Sequence, residues 1–127
     1  MPIRIHELNH VAIHVRDLDA SMHFYEHVLG LPRIPRPAFD FPGAWYALGD
    51  QELHLIHDPS LQQAERRHHH FALRIDDPFA ARAELEARGV TGFRGPAPRP
   101  DGAMQLFFTD PDGYLIEMYS APPEPGR

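Results

Sequence analysis

The sequence predicts an α+β fold made of two repeated βαβββ modules, and three features indicate it. Several short segments alternate apolar and polar residues, which is typical of strands with one buried face. In each half the first such segment is followed by a helix-like stretch that ends in glycine. Finally, HFALRIDD at 70–77 aligns without a gap on HVAIHVRD at 10–17, so the chain repeats itself once. We expect the modules to form a curved, cup-like mixed sheet with the helices outside.

The repeat also sets the predicted boundaries within a single domain of 127 residues. We expect the first module at 6–57 and the second at 68–120. The polar segment 58–67 is interpreted as the linker between them, and 121–127 as a tail.

The first module opens with LNHVAIHV at 8–15, in which Val11, Ile13 and Val15 share an apolar face. The next segment predicts a helix that is capped by Asp17 and ended by Gly30. Its buried face is expected to comprise four residues at helical spacing, namely Leu18, Met22, Tyr25 and Leu29.

A proline-rich stretch follows this helix. Because proline lacks a backbone N–H, we expect no more than an edge strand at 31–36. Segments 45–48 and 51–57 predict a hairpin that turns at Gly49 and Asp50.

The second module repeats this order and ends in DPDGYLIEMYS at 110–120. Asp77 is the expected cap of its helix, with Pro78 in the first turn and Gly89 at the end. The DPDG sequence predicts a turn, and the strand after it carries Glu117. A carboxylate in so apolar a strand is costly to bury unless a cation meets it. We therefore interpret Glu117 as a metal ligand, with an ion pair to Arg74 as the alternative.

Composition excludes several classes of function. The net charge of −6 and the estimated pI of about 5.9 argue against a nucleic-acid partner. The chain has no cysteine and no lysine, so disulfides, thiolate sites and Schiff-base chemistry are excluded. It shows neither an apolar signal core nor a run of membrane-spanning length, so we expect no membrane partner and a cytoplasmic location.

Ten histidines are unusual in a chain of this length, and the repeat selects among them. One inward polar residue falls on the first and last strand of each half, and together these are His10, His54, His70 and Glu117. Three imidazoles and one carboxylate suit a divalent ion such as Zn, Ni, Co, Mn or Fe(II). His54 could instead hydrogen-bond a ligand or a water.

Three segments of the chain resemble one known family. They are LNHVAIHVRDLDASMHFYEHVLGL at 8–31, HHFALRID at 69–76 and DPDGYLIEMYS at 110–120. Together they are similar to the vicinal oxygen chelate superfamily, which includes glyoxalase I, bleomycin resistance proteins and extradiol dioxygenases. The DPDGY-x-IE signature is specific for the superfamily and much less so for any one activity.

This resemblance implies a metal-dependent lyase or isomerase of the glyoxalase I type, whose small substrate chelates the metal through neighbouring oxygens. It places metal ligands at His10, His70 and Glu117, and a fourth position at His54. Glyoxalase I commonly has glutamate at that fourth position, where the carboxylate is thought to move a proton. His54 and Glu117 are therefore the expected catalytic residues, and Glu52 is an alternative base.

Other activities of the superfamily remain open. An extradiol dioxygenase would use His14 or His57 as acid or base, and His14 shares the face of His10. A thiol transferase of the fosfomycin-resistance type would need a phosphonate site, for which Arg74, Arg94 and Arg99 are available. A non-catalytic binding protein would use the cup alone. Because isolated modules expose sheet edges, we also expect a homodimer.

Overall fold

The computed structural model describes residues 3–62 and 69–123. The chain divides into two compact units, Met1–Gln62 and Gln63–Arg127. Each unit carries a four-stranded mixed sheet and a helical segment, which confirms the predicted α+β fold of two repeated modules. Parts of the predicted linker and tail, 63–67 and 124–127, lie outside the described residues.

The sheet of the first unit has the order β1-β4-β3-β2. Its elements along the chain are β1 (His10–Val15), α1 (Leu18–His23), a π-helical turn (Phe24–Val28), β2 (Arg33–Ile34), β3 (Gly43–Leu48) and β4 (Gln51–His57). The first and last strands pair in parallel, and the other pairs are antiparallel.

The sheet of the second unit has the equivalent order β5-β8-β7-β6. Its elements are β5 (His70–Arg74), α2 (Pro78–Ala87), β6 (Arg94–Pro98), β7 (Met104–Thr109) and β8 (Leu115–Ser120). Again the first and last strands are parallel neighbours. The two strands that carry the predicted site residues of a module are therefore hydrogen-bonded to each other.

The first helical segment starts and ends where predicted, but of its predicted buried face only Tyr25 is fully buried. Asp17 accepts a hydrogen bond from the Ala20 N–H at 3.0 Å, and Gly30 takes a positive φ of 77°. In the last turn the Leu29 N–H donates to the Phe24 carbonyl, five residues back. This π-helical spacing changes which side chains face the sheet. The buried residues are Ser21, Phe24, Tyr25 and Val28, whereas Leu18, Met22 and Leu29 are only half-buried.

Two strand boundaries also differ from the prediction. The edge strand covers only 33–34, because Pro32 and Pro35 on either side cannot donate to a neighbouring strand. Strand β3 begins at Gly43, two residues earlier than predicted. The earlier start lengthens the sheet face that carries Trp45.

In the second unit the turn chemistry follows the sequence closely. Asp77 caps α2 through the backbone N–H groups of Phe79 and Ala80. The buried Asp110 carboxylate accepts hydrogen bonds from the N–H groups of Asp112 and Tyr114, both at 2.9 Å. These bonds fix the start of β8 and therefore the face on which Glu117 lies. Among the described residues, no helix has the length and apolarity that a membrane span requires.

Candidate functional site

Parallel pairing brings the predicted site residues together in two diagonal pairs. In the first unit Ala12 lies opposite His54, so His10 is displaced from His54 by two residues on the same face. In the second unit Ala72 lies opposite Glu117, and His70 has the same displacement. The repeat in the sequence thus corresponds to the same relative position of the two site residues in each unit.

In the first pair, the ring of His54 lies between two other rings. The His10 and His54 centroids are 4.2 Å apart, and the rings are 17° from parallel. On the other side of His54, the Trp45 ring stacks with its centroid 3.8 Å away and its plane 1° from parallel. His54 is only 7% exposed. Its ring plane is therefore fixed by stacking on both faces.

Hydrogen bonds also indicate which ring nitrogens carry protons. The His54 Nε2 lies 2.8 Å from the Glu52 Oε1, and a carboxylate only accepts, so Nε2 donates. The His10 Nδ1 lies 2.8 Å from the Asn9 Oδ1, which is likewise an acceptor. In the neutral rings this leaves the lone pairs on His54 Nδ1 and His10 Nε2.

The second pair is a direct hydrogen bond. The His70 Nε2 donates to the Glu117 Oε1 at 3.0 Å, and the Gln105 Nε2 donates to the other carboxylate oxygen at 3.3 Å. Glu117 is only 4% exposed. Within the described part of the chain its partners are these two side chains, so the alternative ion pair with Arg74 is wrong.

An aromatic residue accompanies each pair at the corresponding place. Trp45 lies opposite His54 on β3, and Phe107 lies opposite Glu117 on β7. The Phe107 ring meets the His70 ring edge-on at 5.8 Å. These contacts, like those of Asn9 and Gln105, were missed in the sequence, because they depend on strand register and side-chain geometry. The turn at Gly49 sets the register of β3 against β4. This turn was the signal from which the position of Trp45 opposite His54 could have been predicted.

The four predicted residues offer donors that fit a divalent ion. Two donor atoms bound to one ion at about 2.1 Å and a right angle lie about 3 Å apart. The His70 Nε2 and Glu117 Oε1 have this separation, and an ion would have to replace the proton that they share. The His10 and His54 rings each have a nitrogen with a free lone pair. Each unit supplies two such residues. No group of three or more histidine or carboxylate side chains that could hold a metal occurs within 3–62 and 69–123.

Of the two histidines considered as acid or base, His14 lies on the face of His10, as predicted, and His57 lies on the opposite face. The His14 Nδ1 is 2.9 Å from the Asp58 Oδ2. The other Asp58 oxygen accepts from the Ser60 hydroxyl at 2.7 Å. His14 and Ser60 hold the pKa of the Asp58 carboxyl below its usual range. His14 is therefore a histidine oriented by a carboxylate.

Two βαβββ modules, each with a predicted pair of site residues across its parallel strands, indicate a glyoxalase-like class of protein. The chain belongs to the Glyoxalase/Bleomycin resistance protein/Dioxygenase superfamily, whose family model matches residues 7–118.

Two relatives and one solved structure illustrate this membership. The chain is 32% identical to Glyoxylase I 4 of Arabidopsis thaliana, over 92% of this chain and 72% of that protein. It is 30% identical to the lactoylglutathione lyase of Neisseria meningitidis, over 87% of each chain. A crystal structure described as a glyoxalase family protein from Bacillus anthracis superimposes with a TM-score of 0.81 at 25% identity. That match covers 94% of this chain and 98% of the other.

Proposed function

We propose that this protein is a metal-dependent enzyme of the glyoxalase type, a lyase or isomerase that acts on a small substrate with neighbouring oxygens. The observation that carries the proposal is the diagonal pair of site residues, which recurs at equivalent places in both modules. Relatives of 30% identity that are named lactoylglutathione lyase support this class of reaction. By analogy with that name, the substrate is a glutathione conjugate with neighbouring oxygens.

We further propose that His10, His54, His70 and Glu117 hold one divalent ion, two ligands coming from each module. The donor set, three imidazoles and a carboxylate, is compatible with Zn, Ni, Co, Mn or Fe(II). A bound ion would supply Lewis acidity toward two neighbouring substrate oxygens.

The chain's own residues would move the proton. An isomerisation of this kind takes a proton from one carbon and returns it to the next. Glu117 has a carboxylate that accepts hydrogen bonds, and the lone pair of His54 Nδ1 would accept a proton only after release from the ion. Glu52 accepts the Nε2 proton of His54, so it would stabilise a positive charge on that ring after protonation. Glu52 is thus a positioning residue for His54 rather than an independent base.

The test is turnover. Protein stripped with chelator and reloaded with single metals should form lactoylglutathione from glutathione and methylglyoxal. Glu117→Gln should lower kcat by a factor of about 100 or more, because it removes both a ligand and a proton acceptor. His6→Ala, which removes an exposed histidine outside the site, should leave kcat unchanged. Absence of turnover with every metal would contradict the proposal.

One observation favours a second candidate, an extradiol-type dioxygenase. Two histidines and one carboxylate, here His10, His70 and Glu117, are the usual ligands of Fe(II) in oxygenases. Oxygen-sensitive iron in freshly purified protein would favour this activity. The thiol transferase has less support, because Arg99 of the suggested phosphonate site is already bound to Asp101 through two hydrogen bonds.

The remaining expectations stay predictions. They are a homodimer, a cytoplasmic location, and a small-molecule substrate without nucleic-acid or membrane partners. Three apolar residues near the N-terminus support the homodimer: Ile3, Ile5 and Leu8 are 89%, 87% and 69% exposed in the single chain.

A further inference from the structure

Arg36 is a half-buried cation that lies against two aromatic rings, which stack on each other. Its guanidinium lies 5.0 Å from the centroid of Phe39 and 4.9 Å from that of Phe41. Its Nη2 donates to the Phe41 carbonyl at 2.7 Å. No carboxylate of the described residues pairs with it, whereas Arg33 and Arg99 each have an acidic partner. A partly desolvated guanidinium without a counter-charge is well placed to attract an anion.

The surroundings of Arg36 connect it to the candidate site. A side chain at Gly43 would come within 3.1 Å of Arg36 Nε and Nη2, so the guanidinium lies over glycine backbone. Two residues further along β3, on the same face, is Trp45. The ring of Phe39 is 6.1 Å from that of Trp45, and the rings of Phe39 and Phe41 stack at 5.2 Å.

We infer that Arg36 and an aromatic platform, formed by Phe39, Phe41 and Trp45, bind an anionic group joined to a flat apolar part of the substrate. The anion is a carboxylate or a phosphate-type group, which a guanidinium can bind through two parallel hydrogen bonds. The flat part packs on the platform, since planar groups gain from offset stacking on aromatic rings. The inference rests on the proposed function, because it names the substrate class of the same site.

Trp45 offers a direct readout, because it is the only tryptophan in the chain. Its indole N–H gives a single signal in a ¹H–¹⁵N spectrum. We would titrate chelator-treated protein at fixed ionic strength with benzoate, phenylphosphonate, benzyl alcohol and acetate. At least one of the two aromatic anions should shift the signal saturably and bind about tenfold more tightly than benzyl alcohol or acetate. Equal affinity for benzoate, phenylphosphonate and benzyl alcohol would overturn the inference.

Substitutions distinguish the contribution of the Arg36 charge to binding from that of the aromatic platform. Arg36→Gln should weaken binding of the aromatic anion about tenfold, and Arg36→Lys should weaken it less, because lysine keeps the charge without the planar fork. Phe39→Leu should weaken the aromatic anion and benzyl alcohol alike. Arg4→Gln is the matched control, because it removes the same charge from an exposed position. Unchanged binding in both Arg36 variants would also overturn the inference.

Because these titrations need neither metal nor turnover, their outcome is independent of the proposed reaction. Binding that depends on Arg36 in a protein without glyoxalase activity would leave the subsite standing and reject the function. Glyoxalase activity together with an anion affinity that does not depend on Arg36 would support the function and reject the subsite. Melting temperatures of the variants show whether each is folded, and Arg36→Lys is the substitution that retains the positive charge.

Discussion

Each predicted ligand of the first module has a neighbour that directs one of its ring nitrogens. Asn9 accepts from His10, and Glu52 accepts from His54. Such partners orient a histidine ligand and raise its basicity, and their loss commonly lowers metal affinity 10- to 100-fold. Glu52 lies two residues before His54 on β4, so the two side chains share a face, but only the side-chain geometry shows that they are bonded.

This bond gives the first prediction. Glu52→Ala should lower metal affinity by about tenfold or more, because the His54 ring loses the acceptor that fixes its tautomer. Competition with a chromogenic chelator measures the affinity. Glu84→Ala, an exposed carboxylate on α2, should change nothing. Wild-type affinity in the Glu52 variant would mean that the hydrogen bond has no part in ligation.

A second prediction concerns Asp101 and pH. The Arg99 guanidinium, helped by the Ala103 N–H, lowers the pKa of Asp101 from 3.8 to about 2. A depressed carboxyl pKa stabilises the fold above about pH 3.8, and this contribution is lost as the pH falls through 2. A carboxyl ¹³C titration of the folded protein should show the low midpoint, and Arg99→Gln should return it toward 3.8. A midpoint near 3.8 in the wild type would contradict the ion pair.

At the scale of the element, sequence reasoning succeeded where local chemistry decides. The caps at Asp17 and Asp77 and the turn before β8 follow from residue types that bond their own backbone. It failed for the side chains that are buried in the last turn of the first helical segment. Phe24 and Tyr25 are adjacent and both buried, whereas a regular α-helix would separate them by about 100°. The Tyr25 ring lies 6.3 Å from the Tyr46 ring of β3, and the Phe24 ring meets Tyr25 edge-on at 5.1 Å. Helical spacing in the sequence does not include such contacts.

The third prediction tests the turn that places Glu117. Asp110→Ala should lower the free energy of unfolding by about 1–3 kcal/mol, because the buried N–H groups of Asp112 and Tyr114 lose their acceptor. Urea titration measures this change. Asp50→Ala, at the exposed hairpin turn, should fall within about 0.5 kcal/mol of wild type. An equal effect of the two substitutions would show that the Asp110 bonds do not stabilise the turn.

At the scale of the whole molecule, the repeat predicted the two modules, and the structure shows that their strand orders are equivalent. It also selected one polar residue on each of four strands, and the structure pairs them two by two. The metal and the substrate lie beyond such reasoning, because the same donors bind several divalent ions and the fold hosts several reactions. The stacking within the aromatic platform could not be predicted either, since it depends on side-chain geometry.

The fourth prediction is the assembly. Light scattering should give about twice the chain mass of 14.5 kDa. Replacing Ile3 and Ile5 together by serine should shift the protein toward the single-chain mass, because both side chains are exposed in one chain and apolar. A wild-type mass of one chain would reject the homodimer.

The central claim is that His10, His54, His70 and Glu117 bind one metal ion, and metal content tests it most directly. Protein purified without chelator and measured by mass spectrometry of its metals should carry about one divalent ion per chain. Alanine at any one of these four positions should remove most of it, while His6→Ala retains it. Wild-type metal content in each of the four alanine variants, or no metal after reloading the wild type, would contradict the account.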